Sequence, residues 1–199
     1  MVDLVRDFAA VLERCEDSVC IALDVPIGLP DVASKGGRPA DAQASERLGK
    51  RRSSIFSAPS RAALEGFRQG LGFGEVSALN GEVGLTLQAF NLLKKIDEVD
   101  RLMTPALQAR VREVHPETAF ALAAGEPLTH SKQTGKGLAE RRKVLEAVGF
   151  EVRNQPKLKA DDVLDAAIAC WSADRLVRGT ALVLGGEPDS RGLKMEICA

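Results

Sequence analysis

The chain has 199 residues, enough for one domain with a proper hydrophobic core, and sets 27 Lys and Arg against 28 Asp and Glu for a formal charge of −1. That balance argues against a whole-protein field for nucleic acid or an acidic membrane, so any basic footprint is local. With no Tyr and one Trp, a surface of stacked aromatic platforms is not expected either.

Cys15, Cys20, Cys170 and Cys198 form no Cys-x-x-Cys pair and the histidines are His115 and His130, which argues against a structural zinc site. Cys20 and Cys170 fall on apolar faces and read as small core residues. No leader or membrane-spanning stretch is apparent, so a cytoplasmic, reducing setting and no membrane partner are expected.

In chain order, Leu4, Phe8, Val11 and Leu12 have helical spacing and predict an amphipathic helix over residues 1–14. Residues 19–23 are an unbroken apolar run, long enough for a strand buried on both faces but too short for a helix. The run ends at Asp24, and Pro26, Gly28 and Pro30 turn it into a rigid loop. A carboxylate at the carboxyl end of a buried parallel strand lies where open α/β sheets form ligand crevices; capping a turn is its plain structural alternative.

Residues 31–38 read as a polar, Gly-rich loop and 41–48 as a short helix closed by Gly49. Lys50, Arg51 and Arg52 followed by Ser53 and Ser54 would suit phosphate oxygens, guanidinium forks holding two and hydroxyls a third. The same cations also fit a solvated helix end. A helix over 61–70, a glycine-dotted loop over 70–84 and a long helix over 85–103 follow, the last marked by Leu92, Ile96, Val99 and Met103. Thr104-Pro105 then opens a short helix to about residue 110.

Residues 111–115 alternate, so Val111, Glu113 and His115 share a face of a second strand that Pro116 ends and Glu117 follows. A helix over 119–124, a polar loop over 129–137 containing His130 and Lys132, and a helix over 138–148 come next, with 150–152 a strand or an extended connection. Asp161, Asp162 and Asp165 open a helix whose buried stripe is Leu164, Ile168 and Trp171, and the acids can share a face there. Asp161 and Asp162 also fit ordinary first-turn chemistry, whereas Asp165 needs a cation or hydrogen bonds beside it. The tail reads as strands over 180–184 and 193–198. Helices alternating with buried strands predict an α/β layer fold.

Acids at three element ends, Asp24, Glu113 with Glu117, and the Asp161, Asp162 and Asp165 group, would repel one another without a cation, and hard oxygens suit magnesium or manganese. Two such ions can activate water and stabilise the leaving oxygen of a phosphodiester, while Arg51 and the 132–142 region hold flanking phosphates.

Five blocks recur in one order across nearly the whole chain: Asp24-Val-Pro-Ile-Gly-Leu-Pro30, Arg51-Arg52-Ser53-Ser54-x-Phe56, Glu113-Val-His-Pro-Glu117, Ser131-Lys132-x-Thr134 and Asp161-Asp162-x-Leu-Asp165-Ala. In this it resembles a bacterial and archaeal domain-of-unknown-function family described as predicted nucleases with a ribonuclease-H-like fold. The resemblance implies a single domain over 1–199, a mixed sheet flanked by helices, with a helical insertion around 31–110. It implies metal ligation by Asp24, Glu113, Asp161, Asp162 and Asp165, and catalysis by Asp24, Glu113, Asp162 and His115. Arg51, Arg52, Ser53, Lys132 and Glu117 would meet the substrate, a phosphate-bearing molecule, possibly nucleic acid.

The usual three-strand N-terminal meander, whose first strand carries an essential Asp, has no counterpart here. The edge over 19–23 is therefore expected to be open and to pair with a second copy or with the strands over 180–198. A metal-dependent phosphodiester hydrolase is the first expectation. The alternatives are a catalytically inactive binder of a phosphate-bearing ligand and an assembly module.

Overall fold

A computed structural model describes residues 3–153 and 155–199. Two short parallel strands hold its centre, β1 (Ile21–Leu23) beside β2 (Val111–Glu113), in the register Ile21 to Val111 and Leu23 to Glu113. A parallel bridge from Val114 to Cys198 attaches β4 (Lys194–Cys198) beyond β2, and β4 pairs antiparallel with β3 (Val183–Pro188).

Side chains alternate across this platform as a pleat requires. Ile21 and Val111 turn to one face, where Phe8 of α1 (Phe8–Arg14), Val99 of α5 (Leu87–Asp100), Met103 and Leu193 close over them. Ala22 turns to the other, against a core of Val114, Phe120, Leu145, Leu164 and Ile168. That second core comes from α7 (Pro116–Ala124), α8 (Gly135–Ala147) and α9 (Ala160–Val177). Each of these fully buried aliphatic side chains stabilises the fold by about 1.5–3 kcal/mol relative to exposure. The result is a mixed α/β protein, rich in helix, with layers on both faces of small sheets.

Between the parallel strands the chain builds a helical lobe from α2 (Pro39–Leu48), a 3₁₀ segment (Gly49–Ser54), α3 (Arg61–Arg68), α4 (Phe73–Leu79), α5 and α6 (Pro105–Gln108). Its core is Leu64, Val76, Leu93 and Ile96. Ser60, Thr86 and Thr104 cap α3, α5 and α6 through their hydroxyls.

Several expectations are corrected. Residues 3–7 are not helical and Met1 and Val2 lie outside the described residues, so the first helix begins at Phe8, where Asp7 caps it. The expected loop over 70–84 contains α4, whose Val76 is buried in the lobe. Residues 150–152 are an extended connection. Cys170 is exposed and Cys20 half-buried, while Cys198 is buried. Trp171 lies at the rim of its helix's buried stripe, with Arg175 stacked 4.8 Å from the ring centroid. The terminal strands join the β2 side of the sheet rather than the outer edge of β1, because Cys198 pairs with Val114. Among the described residues no strand pairs with that outer edge. No helix is long and apolar enough to cross a membrane among the described residues.

Candidate functional site

β1 and β2 run parallel, so their carboxyl ends emerge together, delivering Asp24 on one side and Glu113, His115 and Glu117 on the other. A cleft of about 380 Å³ opens there, lined by Asp24, Arg51, Ser53, Ser54, His115, Glu117, Ser131 and Lys132, with Phe56 and Leu92 as its apolar part.

The floor is a buried ion network. Glu113 accepts from both terminal nitrogens of Arg38, at 2.5 and 2.8 Å, and from the Ile27 amide at 2.6 Å. Arg38 also bonds Asp41 at 2.7 Å and the Ile27 and Gly28 carbonyls at 3.1 Å each. Burial pushes the Glu113 carboxyl up to about 6, a rise that the Arg38 guanidinium and the Ile27 amide limit, so that it stays a carboxylate at neutral pH. This network clamps the loop after β1 from beneath. Gly28 completes the clamp: its φ is +74°, and a Cβ there would lie 2.9 Å from the Leu193 carbonyl.

His115 caps α7, its Nδ1 accepting the Thr118 amide at 3.4 Å. The Ser54 backbone beside the imidazole favours its protonated form. Burial dominates and depresses its pKa to about 4, so the ring is neutral at physiological pH. His115 thus stands between the Ser54 backbone and the start of α7.

Glu117 accepts from the fully buried Arg141, and Arg51 lies 3.5 Å away on its other side. Arg141 also donates to the Gly137 carbonyl at 2.9 Å and the His130 carbonyl at 3.2 Å, fixing the loop that carries Lys132. That loop is closed further by Thr134, whose hydroxyl donates to the Ser131 carbonyl at 2.8 Å. Gly137 is required here, since a Cβ would come within 2.0 Å of the Ser131 carbonyl. Lys132 then reaches across to Asp165 on α9, Nζ to Oδ2 at 2.6 Å.

Desolvation by its surroundings, with the charges of Asp165 and Glu113, raises the Asp24 carboxyl to about 7 against the opposing pull of Lys132. Asp24 is an exposed residue, so water screens much of this rise. Burial lowers the Lys132 ammonium, but its hydrogen bond and charge interaction with Asp165, and the charges of Asp24 and Glu117, outweigh that and raise it.

The cleft thus brings together Asp24, Glu117, His115, Arg51, Ser53 and Lys132, and through Lys132 also Asp165. Glu113 lies beneath it, committed to Arg38. Asp161, Asp162 and Arg52 do not line it; Asp162 and Arg52 are exposed, and of the acidic group only Asp165, a turn further into α9, is buried. Of the expected magnesium or manganese ligands, Asp24 lies within the charge of Asp165 and Glu113, while Asp161 and Asp162 stand apart from the cleft; among the described residues no group of three His, Cys, Asp or Glu side chains is arranged as a metal site. Glu113, Asp165 and Glu117 each face an Arg or Lys.

Two functional residues escape sequence reasoning. Arg38 sits in what reads as a polar loop, and Arg141 reads as part of the 132–142 region that would hold phosphates; both are almost wholly buried. A signal existed in each case only as an acid elsewhere in the chain that needed a partner.

The architecture and cleft define a mixed α/β protein with cationic and acidic side chains gathered at the carboxyl ends of parallel strands. The chain belongs to the family described as Protein of unknown function (DUF429), whose model matches residues 1–190. No curated protein and no solved structure matches it.

Proposed function

We propose that the cleft binds a phosphate-bearing ligand of about mononucleotide size, on a sheet of ribonuclease-H-like type. The observation that carries this is Arg51. Its guanidinium lines the cleft with an ion pair to Glu117 at 3.5 Å, and among the described residues its buried Nε has no hydrogen-bond partner. A buried donor left unpaired costs about 1–3 kcal/mol, which an arriving anion would offset. Lys132, Ser53 and Ser131 line the same cleft and add an ammonium and hydroxyls of the kind phosphate oxygens accept from. Phe56 and Leu92 supply an apolar wall for the rest of the ligand.

The test is calorimetric titration with inorganic phosphate and with a panel of mononucleotides, in chelator. Binding that Arg51→Ala weakens by about tenfold is expected, the loss of one charge-assisted contact. No binding of any panel member by the wild-type chain sinks the reading.

Phosphoester hydrolysis is the second reading, favoured by Asp24. A carboxyl raised to about 7 is poised for proton transfer to or from water at neutral pH. Turnover of a phosphodiester panel lost in Asp24→Asn supports it; binding without turnover leaves the chain a binder.

A further inference from the structure

We propose that Lys132 is the resident cation of this cleft, its ammonium bonded to Asp165 in a place that a divalent ion would otherwise occupy. The inference rests on the phosphate-binding reading and deepens it: the ligand would be held without a metal.

Geometry carries the case. Lys132 Nζ stands 2.6 Å from Asp165 Oδ2. A magnesium or manganese ion needs that oxygen at about 2.0–2.2 Å, a position the ammonium blocks by contact and by like charge. Lys132 is not a freely swinging surface lysine. Its loop is tied by the Arg141 donation to His130, the Thr134 hydroxyl on the Ser131 carbonyl, and the close approach of Gly137. Its side chain is only 37 % exposed.

A second, independent feature points to the same place. Asp165 is 91 % buried by residue area, and its Oδ1 has no hydrogen-bond partner. One carboxylate oxygen is thus saturated by lysine while the other is left without a donor. Asp24, which feels the charges of both Asp165 and Lys132, has no paired cation of its own among the described residues. Lys132 is thus bonded to Asp165 and attracts the charge of Asp24. Removing it strips Asp165 of its bonded cation, leaving only the more distant Arg141 charge beside two mutually repelling carboxylates, the arrangement that favours a divalent ion.

The experiment measures Mn²⁺ binding by water-proton relaxation, with no ligand and no turnover required. The wild type, Lys132→Met and the double variant Lys132→Met/Asp24→Asn are compared. The expected result is weak, non-saturating binding to the wild type and affinity at least about tenfold higher in Lys132→Met, lost again in the double variant. Wild-type binding as tight as that of Lys132→Met, or no gain in a folded Lys132→Met, overturns the proposal. Should Lys132→Met fail to fold, the wild type decides alone: saturable Mn²⁺ binding abolished by Asp24→Asn overturns it, and its absence supports it. Phosphate titration of the wild type in chelator runs alongside. Failure there sinks the phosphate-binding reading, whereas tight wild-type Mn²⁺ binding with intact phosphate binding sinks only the role of Lys132.

Discussion

At the scale of single residues, Glu113 and Arg38 show why an acid at the end of a strand need not face a substrate. A carboxylate 5 % exposed and a guanidinium 2 % exposed satisfy each other beneath the cleft. Arg38→Met should therefore lower stability by about 3–5 kcal/mol, because it leaves Glu113 and Asp41 buried without a cation. Urea denaturation of the variant checks this, and a loss below about 1 kcal/mol would mean that the two acids find water or another donor. Glu117 has the same dependence on Arg141, but it also lines the cleft and aligns Arg51. Charge that looks catalytic in sequence is here divided between a supporting layer and a working layer.

At the scale of elements, one imidazole stands at the start of α7 beside the Ser54 backbone. His115 has a pKa near 4 in the folded chain against 6.5 as its ordinary value, so the unfolded chain binds more protons between those values. Stability from this group is complete above about 6.5 and is lost as pH falls toward 4. Asp24, raised from 3.8 to about 7, titrates in the opposite sense over the same range. Comparison with His115→Asn, which keeps a capping side chain, isolates the imidazole. Between about pH 7 and about pH 5 the wild type should lose on the order of 1 kcal/mol more stability than His115→Asn. Equal losses in denaturation at both pH values would show that the ring is not held neutral by the fold.

At the scale of the molecule, the sheet ends at β1. Ile21 donates to the Arg110 carbonyl and Leu23 accepts from the Val114 amide, both at 2.9 Å, so these residues turn their peptide groups to β2. The peptide groups of Ala22 point to the free edge, and Val19 beside it is 77 % exposed. Among the described residues this edge has no strand partner, and a second copy of the chain is the occupant we predict for it. Light scattering should give a dimer, with Ala22→Pro shifting it to monomer by removing the outward donor. A monomeric wild type at high concentration would end this expectation.

Local chemistry alone determined a good part of this protein. The apolar run ending at Asp24, the Thr104-Pro105 start and the periodicity of Leu92, Ile96 and Val99 are signals between near neighbours, and the corresponding elements form. The acid at the end of β1, the Arg51 and Ser53 segment and Lys132 also meet in one cleft, as their residue types suggested. Which acids face that cleft was decided only by tertiary structure. Asp165 is buried a turn further into α9 than the exposed Asp162, and the partners of Glu113, Glu117 and Asp165 lie 75, 24 and 33 residues away. A charge pair spanning such distances depends on how layers stack, and nothing in the neighbouring residues encodes it.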